Sequence, residues 1–239
     1  MSTYHRNSYG QRGRYPKKEL EPLLLDGSES ISSLHPCEDD AARVTLFVDR
    51  RRLGRILLDT KGDHKLEVGT PWTEDLAATL GEELAQGNAY RAGIRILVKR
   101  AKSGKELGRK LKQYGYEADA IEWTIHRLTE LQVLDDENYA RSVVRNQLIR
   151  KPAGRRLLEG KLREKGIETS LITLVLDEAL EDRDTIADAR KLAQSAARSI
   201  SDRHEPEVRI RRITGRLARR GFDFDVIRKV VDELKLRST

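Results

Sequence analysis

The sequence predicts a mainly α-helical chain, with three tandem three-helix repeats forming an elongated curved rod. A small antiparallel β-meander and a disordered N-terminal tail are expected to precede them. Three observations lead there. One helix-stop phrase recurs as "LKQYGYEADAIEWTIHRL" from Leu111, "LREKGIETSLITLVLDEAL" from Leu162 and "LARRGFDFDVIRKVVDEL" from Leu217. Aromatic residues make up 5% of the chain and charged residues 36%, which suits thin helical layers better than a broad ring-filled core. The apolar period shifts towards two near residues 43–69 and is helical after that.

Residues 1–41 lack a sustained apolar period. They begin basic, with Arg6, Arg12, Arg14, Lys17 and Lys18, and continue through the polar, acidic "DGSESISSLHPCEDD". Such a stretch buries too little to order itself and is read as a tail. Residues 42–87 are read as the meander plus a short helix. Val44, Leu46 and Val48 alternate with Thr45, Phe47 and Asp49, and Lys61-Gly62-Asp63 supplies a turn. Thr73 caps the helix, which carries Leu76, Leu80 and Leu84 and ends at Gly87.

The repeats are assigned to residues 88–134, 135–182 and 183–239, with the three leucines at offsets of 51 and 55. Four residues after each leucine stands a glycine: Gly115, Gly166 and Gly221. A glycine in the left-handed region after a helix, followed by an apolar residue, predicts a Schellman stop. The expected apolar contacts are Leu111–Tyr116, Leu162–Ile167 and Leu217–Phe222. A new helix follows each stop, with seams starting at Ile121, Ile172 and Ile227. Upstream, "LVKRAKSGKELGRKL" aligns with "LIRKPAGRRLLEGKL" at the 51-residue offset. Ser103 with Glu106 predicts a capping box, Pro152 and Gly154 a break, and Pro206 the start of a middle helix. Units of this kind bury themselves mainly against their neighbours.

The net charge of +7 and a pI near 9.5 favour an anionic partner. Cys37 is the single cysteine, which excludes an intrachain disulfide and a cysteine-built zinc site. No apolar run is long enough to cross a membrane and no signal-peptide core follows Met1, so a soluble cytoplasmic monomer is expected. Five scattered histidines, no phosphate-binding glycine loop and no nucleophile–base pattern predict no catalytic residue, no cofactor and no metal. The acidic runs at Asp135-Asp136-Glu137 and Glu181-Asp182-Arg183-Asp184 read as helix caps.

Basic edges carry the binding expectation. In the third repeat Arg209, Arg212, Arg216 and Arg220 line one side of a helix as an unpaired stripe suited to phosphate or carboxylate. In the second, Arg150, Lys151, Arg155, Arg156, Lys161 and Arg163 crowd the break and the middle helix. In the first, Lys105, Arg109 and Lys112 form a similar edge. Tyr114, Tyr116, Trp123 and Tyr139 are read as packing residues, so contact with a phosphate backbone or an acidic surface is favoured over base readout.

Tandem three-helix units with "KLREKGIE" at a helix stop and "LDDENYAR" (residues 134–141) opening the second unit resemble the bacterial RecX family of regulatory proteins, over residues 88–236. Val133 stands where the family often has a glycine or small residue, and the tail and meander precede the shared part. The resemblance implies a non-enzymatic regulator that binds the RecA recombinase filament on DNA, lies in its groove, and restrains its ATPase and strand exchange. Some members of the family also bind DNA alone. The alternative is direct, non-specific binding of single- or double-stranded DNA through helix-turn-helix-like modules.

Overall fold

Strands β1 (Ile31–Cys37), β2 (Asp40–Val48) and β3 (Arg51–Leu57) form an antiparallel sheet in the order β1-β2-β3. They belong to a computed structural model that describes residues 28–38, 40–201 and 203–236. Period-two alternation turns Val44, Leu46 and Val48 to one face. There they join Ile31, Ile56, Leu66, Trp72, Leu80 and Leu84 in a buried cluster. Asp49 and Arg50, both at positive φ, close the two-residue turn between β2 and β3.

Three expectations change here. Strand β1 lies inside the segment read as a tail; the part of that reading covering residues 1–27 falls outside the described residues. The strand escapes period reading because its pairing with β2 shifts register between Ile31 and Ser33 and again between Pro36 and Cys37, leaving only those two end residues, Ile31 and Cys37, buried. Lys61-Gly62-Asp63 is the end of a short helix, α1 (Leu58–Asp63), rather than a turn between strands. Helix α2 (Glu74–Lys99) runs without a break through Gly87, so the expected boundary falls within it.

Gly87 is present for closeness, not to stop a helix. A Cβ there would collide with the Arg55 carbonyl, and one on Gly54 would lie 2.8 Å from Asn88 Nδ2 and 2.9 Å from Leu84 Cδ2. The two glycines let β3 and α2 approach until Asn88 Nδ2 donates to the Leu53 carbonyl at 2.7 Å.

The remaining elements are α3 (Gly104–Gln113), α4 (Ala118–Glu130), α5 (Asp136–Arg150), α6 (Arg155–Lys165), α7 (Thr169–Leu180), α8 (Thr185–Ser199), α9 (Pro206–Arg219) and α10 (Phe224–Leu236). No strand occurs among the described residues after α2. The chain divides into two compact units. One holds the described residues up to 93 together with 110–124; the other holds 94–109 and the described residues from 125 onward. In the first, the Arg43 guanidinium lies 5.3 Å from the centre of the Trp123 ring, which meets Tyr90 edge-on. In the second, Ala140, Val144, Leu158, Leu162, Ile172 and Leu176 make one core, and Ala193, Ile213, Leu217, Phe222 and Val230 make another.

All three helix stops share one geometry. Gly115, Gly166 and Gly221 have φ of 87°, 79° and 76°. Tyr116, Ile167 and Phe222 donate their N–H groups to the carbonyls of Leu111, Leu162 and Leu217 at 3.3, 3.1 and 3.4 Å. The glycine N–H groups donate to Lys112, Arg163 and Ala218 at 3.0, 2.9 and 2.9 Å. This is the paired bonding of the Schellman motif.

Candidate functional site

Within the second unit the middle helices meet end to end. Ser103, at the start of α3, donates its hydroxyl to the carbonyl of Lys165, the last residue of α6. One repeat on, Gly154 at the start of α6 donates its N–H to the Arg220 carbonyl at 2.9 Å, and Arg156 donates to the Gly221 carbonyl at 3.2 Å. Ser103 and Gly154 are equivalent at the 51-residue offset, as Lys165 and Arg220 are at 55. In both joints the donor-rich start of one helix meets the acceptor-rich end of another. A Cβ on Gly154 would collide with the Gly221 carbonyl, so glycine brings backbone to backbone where serine reaches with a hydroxyl.

The first joint is also charged. Lys165 Nζ donates to Glu106 Oε1 at 2.8 Å and the Tyr139 hydroxyl to Glu106 Oε2 at 2.7 Å. Burial works against the charge on Glu106, yet these bonds hold its pKa below the usual carboxylate range. Burial, helped by the nearby Asp135 and Glu106 charges, raises that of Asp136, although Asp136 accepts the Gly104 N–H at 2.8 Å. Burial and the bond to Glu106 push Tyr139 up to about 12.

Beside this joint opens a cleft of about 600 Å³, between the end of α2, α5 and α6. Arg100, Lys102, Arg150, Lys161 and Lys165 line it, against a single carboxylate, Asp135. Lys165 is held by Glu106, and Asp135 caps α5 through the Asn138 N–H at 2.9 Å. Among the described residues no carboxylate pairs with Arg100, Lys102, Arg150 or Lys161. Four uncompensated cations around one concavity attract phosphate or carboxylate groups. The one aromatic residue there, Tyr139, has its hydroxyl tied to Glu106, so the cleft suits a backbone more than bases.

The structure places two of the sequence-predicted basic residues in this cleft. Arg150 and Lys161 line it. Lys105 is exposed, with its stem against Gly166; Arg109 donates to the Glu164 carbonyl at 3.4 Å; Lys112 and Lys151 are exposed. Arg155 is held by Glu159 at 3.1 Å and Asp177 at 2.6 Å, Arg156 by Asp223 at 3.1 Å, and Arg163 lies 3.8 Å from Glu159. The third-repeat stripe is hydrogen-bonded rather than unpaired, though to neutral groups that leave the charges of Arg212, Arg216 and Arg220 in place. Arg212 meets His204 Nε2 at 2.9 Å, Arg216 donates to Ser199 Oγ at 2.8 Å and Arg209 is half-buried. Arg220 belongs to the second joint and donates to the Lys151 and Pro152 carbonyls at 2.8 Å, where burial lowers its pKa. The pairing arises because this helix edge faces the polar link after α8 and the break before α6.

Helix-period reading overlooks Arg100 and Lys102, which lie in the link after α2. The signal that finds them is the 51-residue alignment, which sets Arg100 opposite Lys151. Among the described residues no cluster of three His, Cys, Asp or Glu could hold a metal, and no helix is long and apolar enough to cross a membrane.

Comparison with known proteins gives one answer. Family models described as the first, second and third three-helix domains of RecX match residues 89–128, 135–176 and 182–231. A regulatory protein RecX of Corynebacterium efficiens is 33% identical over 158 residues, covering 63% of this chain and 75% of its own. The namesake from Chlorobaculum tepidum is 31% identical over 150 residues, covering 63% and 90%. A crystal structure of regulatory protein RecX aligns with a TM-score of 0.67 at 23% identity, over 85% of this chain and 99% of its own. RecX from Lactobacillus salivarius aligns at 0.56 and 24% identity, over 64% of this chain and 97% of its own.

Proposed function

This chain belongs to the RecX family of regulatory proteins, and on that premise we propose that it binds the RecA recombinase filament on DNA and restrains its ATPase and strand exchange. It acts as a non-enzymatic, cytoplasmic monomer in recombination and DNA repair. The observation that carries the reading is the cleft with four cations that no carboxylate pairs among the described residues, Arg100, Lys102, Arg150 and Lys161, which suits an anionic polymer. The test is DNA-dependent ATP hydrolysis by the recombinase, titrated with this protein and with a variant carrying glutamate at those four positions. The parent is expected to slow hydrolysis at substoichiometric ratios, and the variant to lose that effect while keeping its helical content. A variant that restrains the filament like the parent removes the cleft from the site. A parent without effect that still binds bare duplex with steep salt dependence moves the reading to direct DNA binding by the three-helix modules.

A further inference from the structure

The most exposed large apolar residues on the described surface are Val98 at 81% and Ile149 at 75%. They stand 51 residues apart, the offset that relates the first two repeats. Each is the next-to-last residue of the first helix of its repeat, α2 or α5. Each is followed by two cations, Lys99-Arg100 and Arg150-Lys151. Their preceding leucines, Leu97 and Leu148, are half-buried, and Leu148 packs against the core of the second repeat. In the third repeat the helix end carries Ile200, which packs against that repeat's own core, so the pattern stops after two copies.

A helix end capped by carbonyls already favours cations, but nothing in that preference calls for an exposed β-branched residue in front of them. We propose that Val98 and Ile149 are two equivalent docking knobs, and that their occupant is a protein polymer. Neighbouring identical subunits of that polymer would each offer an apolar depression rimmed by carboxylates. The apolar tip favours a protein surface over a phosphate backbone, which has no depression to receive it, and the paired cations favour an acidic rim. Two equal knobs fit two equal sites, which a polymer supplies and a lone subunit does not. This rests on the filament reading above and names the side chains it uses.

The experiment compares the parent, Val98→Ser, Ile149→Ser and the double variant. Each is measured for binding to assembled recombinase filament, to unassembled recombinase and to bare single-stranded DNA, with circular dichroism and melting temperature to confirm the fold. On the filament each single variant is expected to bind about tenfold or more weakly, because the linked second knob no longer engages. On the unassembled subunit either knob serves alone, so a single variant should lose about twofold and only the double variant should lose binding altogether. Single variants that match the parent on the filament overturn the proposal. So does a loss of equal size on filament and subunit, or one that appears equally on bare DNA. A parent that binds no filament at all overturns the filament reading, and this occupant with it.

Discussion

Gly221 shows how much one hydrogen atom in place of a side chain decides. Its positive φ is legible in the sequence because the Schellman pattern is local; its second role is not, because Leu157 lies in another repeat. A Cβ on Gly221 would strike the Leu157 backbone, one on Gly166 would strike the flexible Lys105 stem, and one on Gly115 would meet nothing within 4 Å. Alanine should therefore cost about 1 kcal/mol at Gly115, from the left-handed backbone alone, with a larger loss at Gly166 and the largest at Gly221. Chemical denaturation of the three variants checks that order. Glu106 gives a second test. Its folded pKa is lowered, so its contribution is present above the ordinary carboxylate range and is lost as pH falls through the folded value. Glu106→Gln should cost about 1 kcal/mol near neutrality, and the difference should vanish on acidification below that range. Asp136 runs the other way: its folded pKa is raised, so its contribution is present in acid and lost as pH rises through that value. Asp136→Asn should therefore lose less at neutral pH than Glu106→Gln does.

At the scale of elements, the helices and their stops are readable and the N-terminal strand is not. Period-two reading needs an unbroken register, and β1 breaks it twice; polar Ser32, Ser33 and His35 fill the positions between its buried ends. Ile31 is fully buried and packs in the cluster that contains Trp72. Deleting residues 1–40 should therefore open the sheet core and shift part of the tryptophan emission to the red, while most of the helical signal remains. Unchanged emission would show that β2 and β3 hold that cluster without β1. The true length of helix α2 is hidden for a related reason. A glycine in a helix reads as a stop unless the neighbour that needs it is known, and for Gly87 that neighbour is the Arg55 carbonyl.

For the whole molecule, charge says that a partner is anionic but not where it sits. Arg216 and Arg220 look free on a helical wheel, yet Ser199 and the Lys151 and Pro152 carbonyls occupy them. Arg100 and Lys102 lie off any wheel and line the cleft. If phosphates sit in that cleft, reversing its four free cations should flatten the salt dependence of DNA binding by roughly one unit of log–log slope for each phosphate no longer neutralised. The same reversal around Arg209, Arg212 and Arg216 should change it less. The two end-to-end joints add a mechanical consequence. A pull along the middle helices would load only bonds made by side chains at one joint, from Ser103, Lys165–Glu106 and Arg109, but two backbone-to-backbone bonds and an arginine clamp at the other. Side chains can swing where backbone cannot, so the α3–α6 joint is the compliant one. Under tension in an optical trap it should yield first, leaving α6 and α9 to move as a single stiff lever.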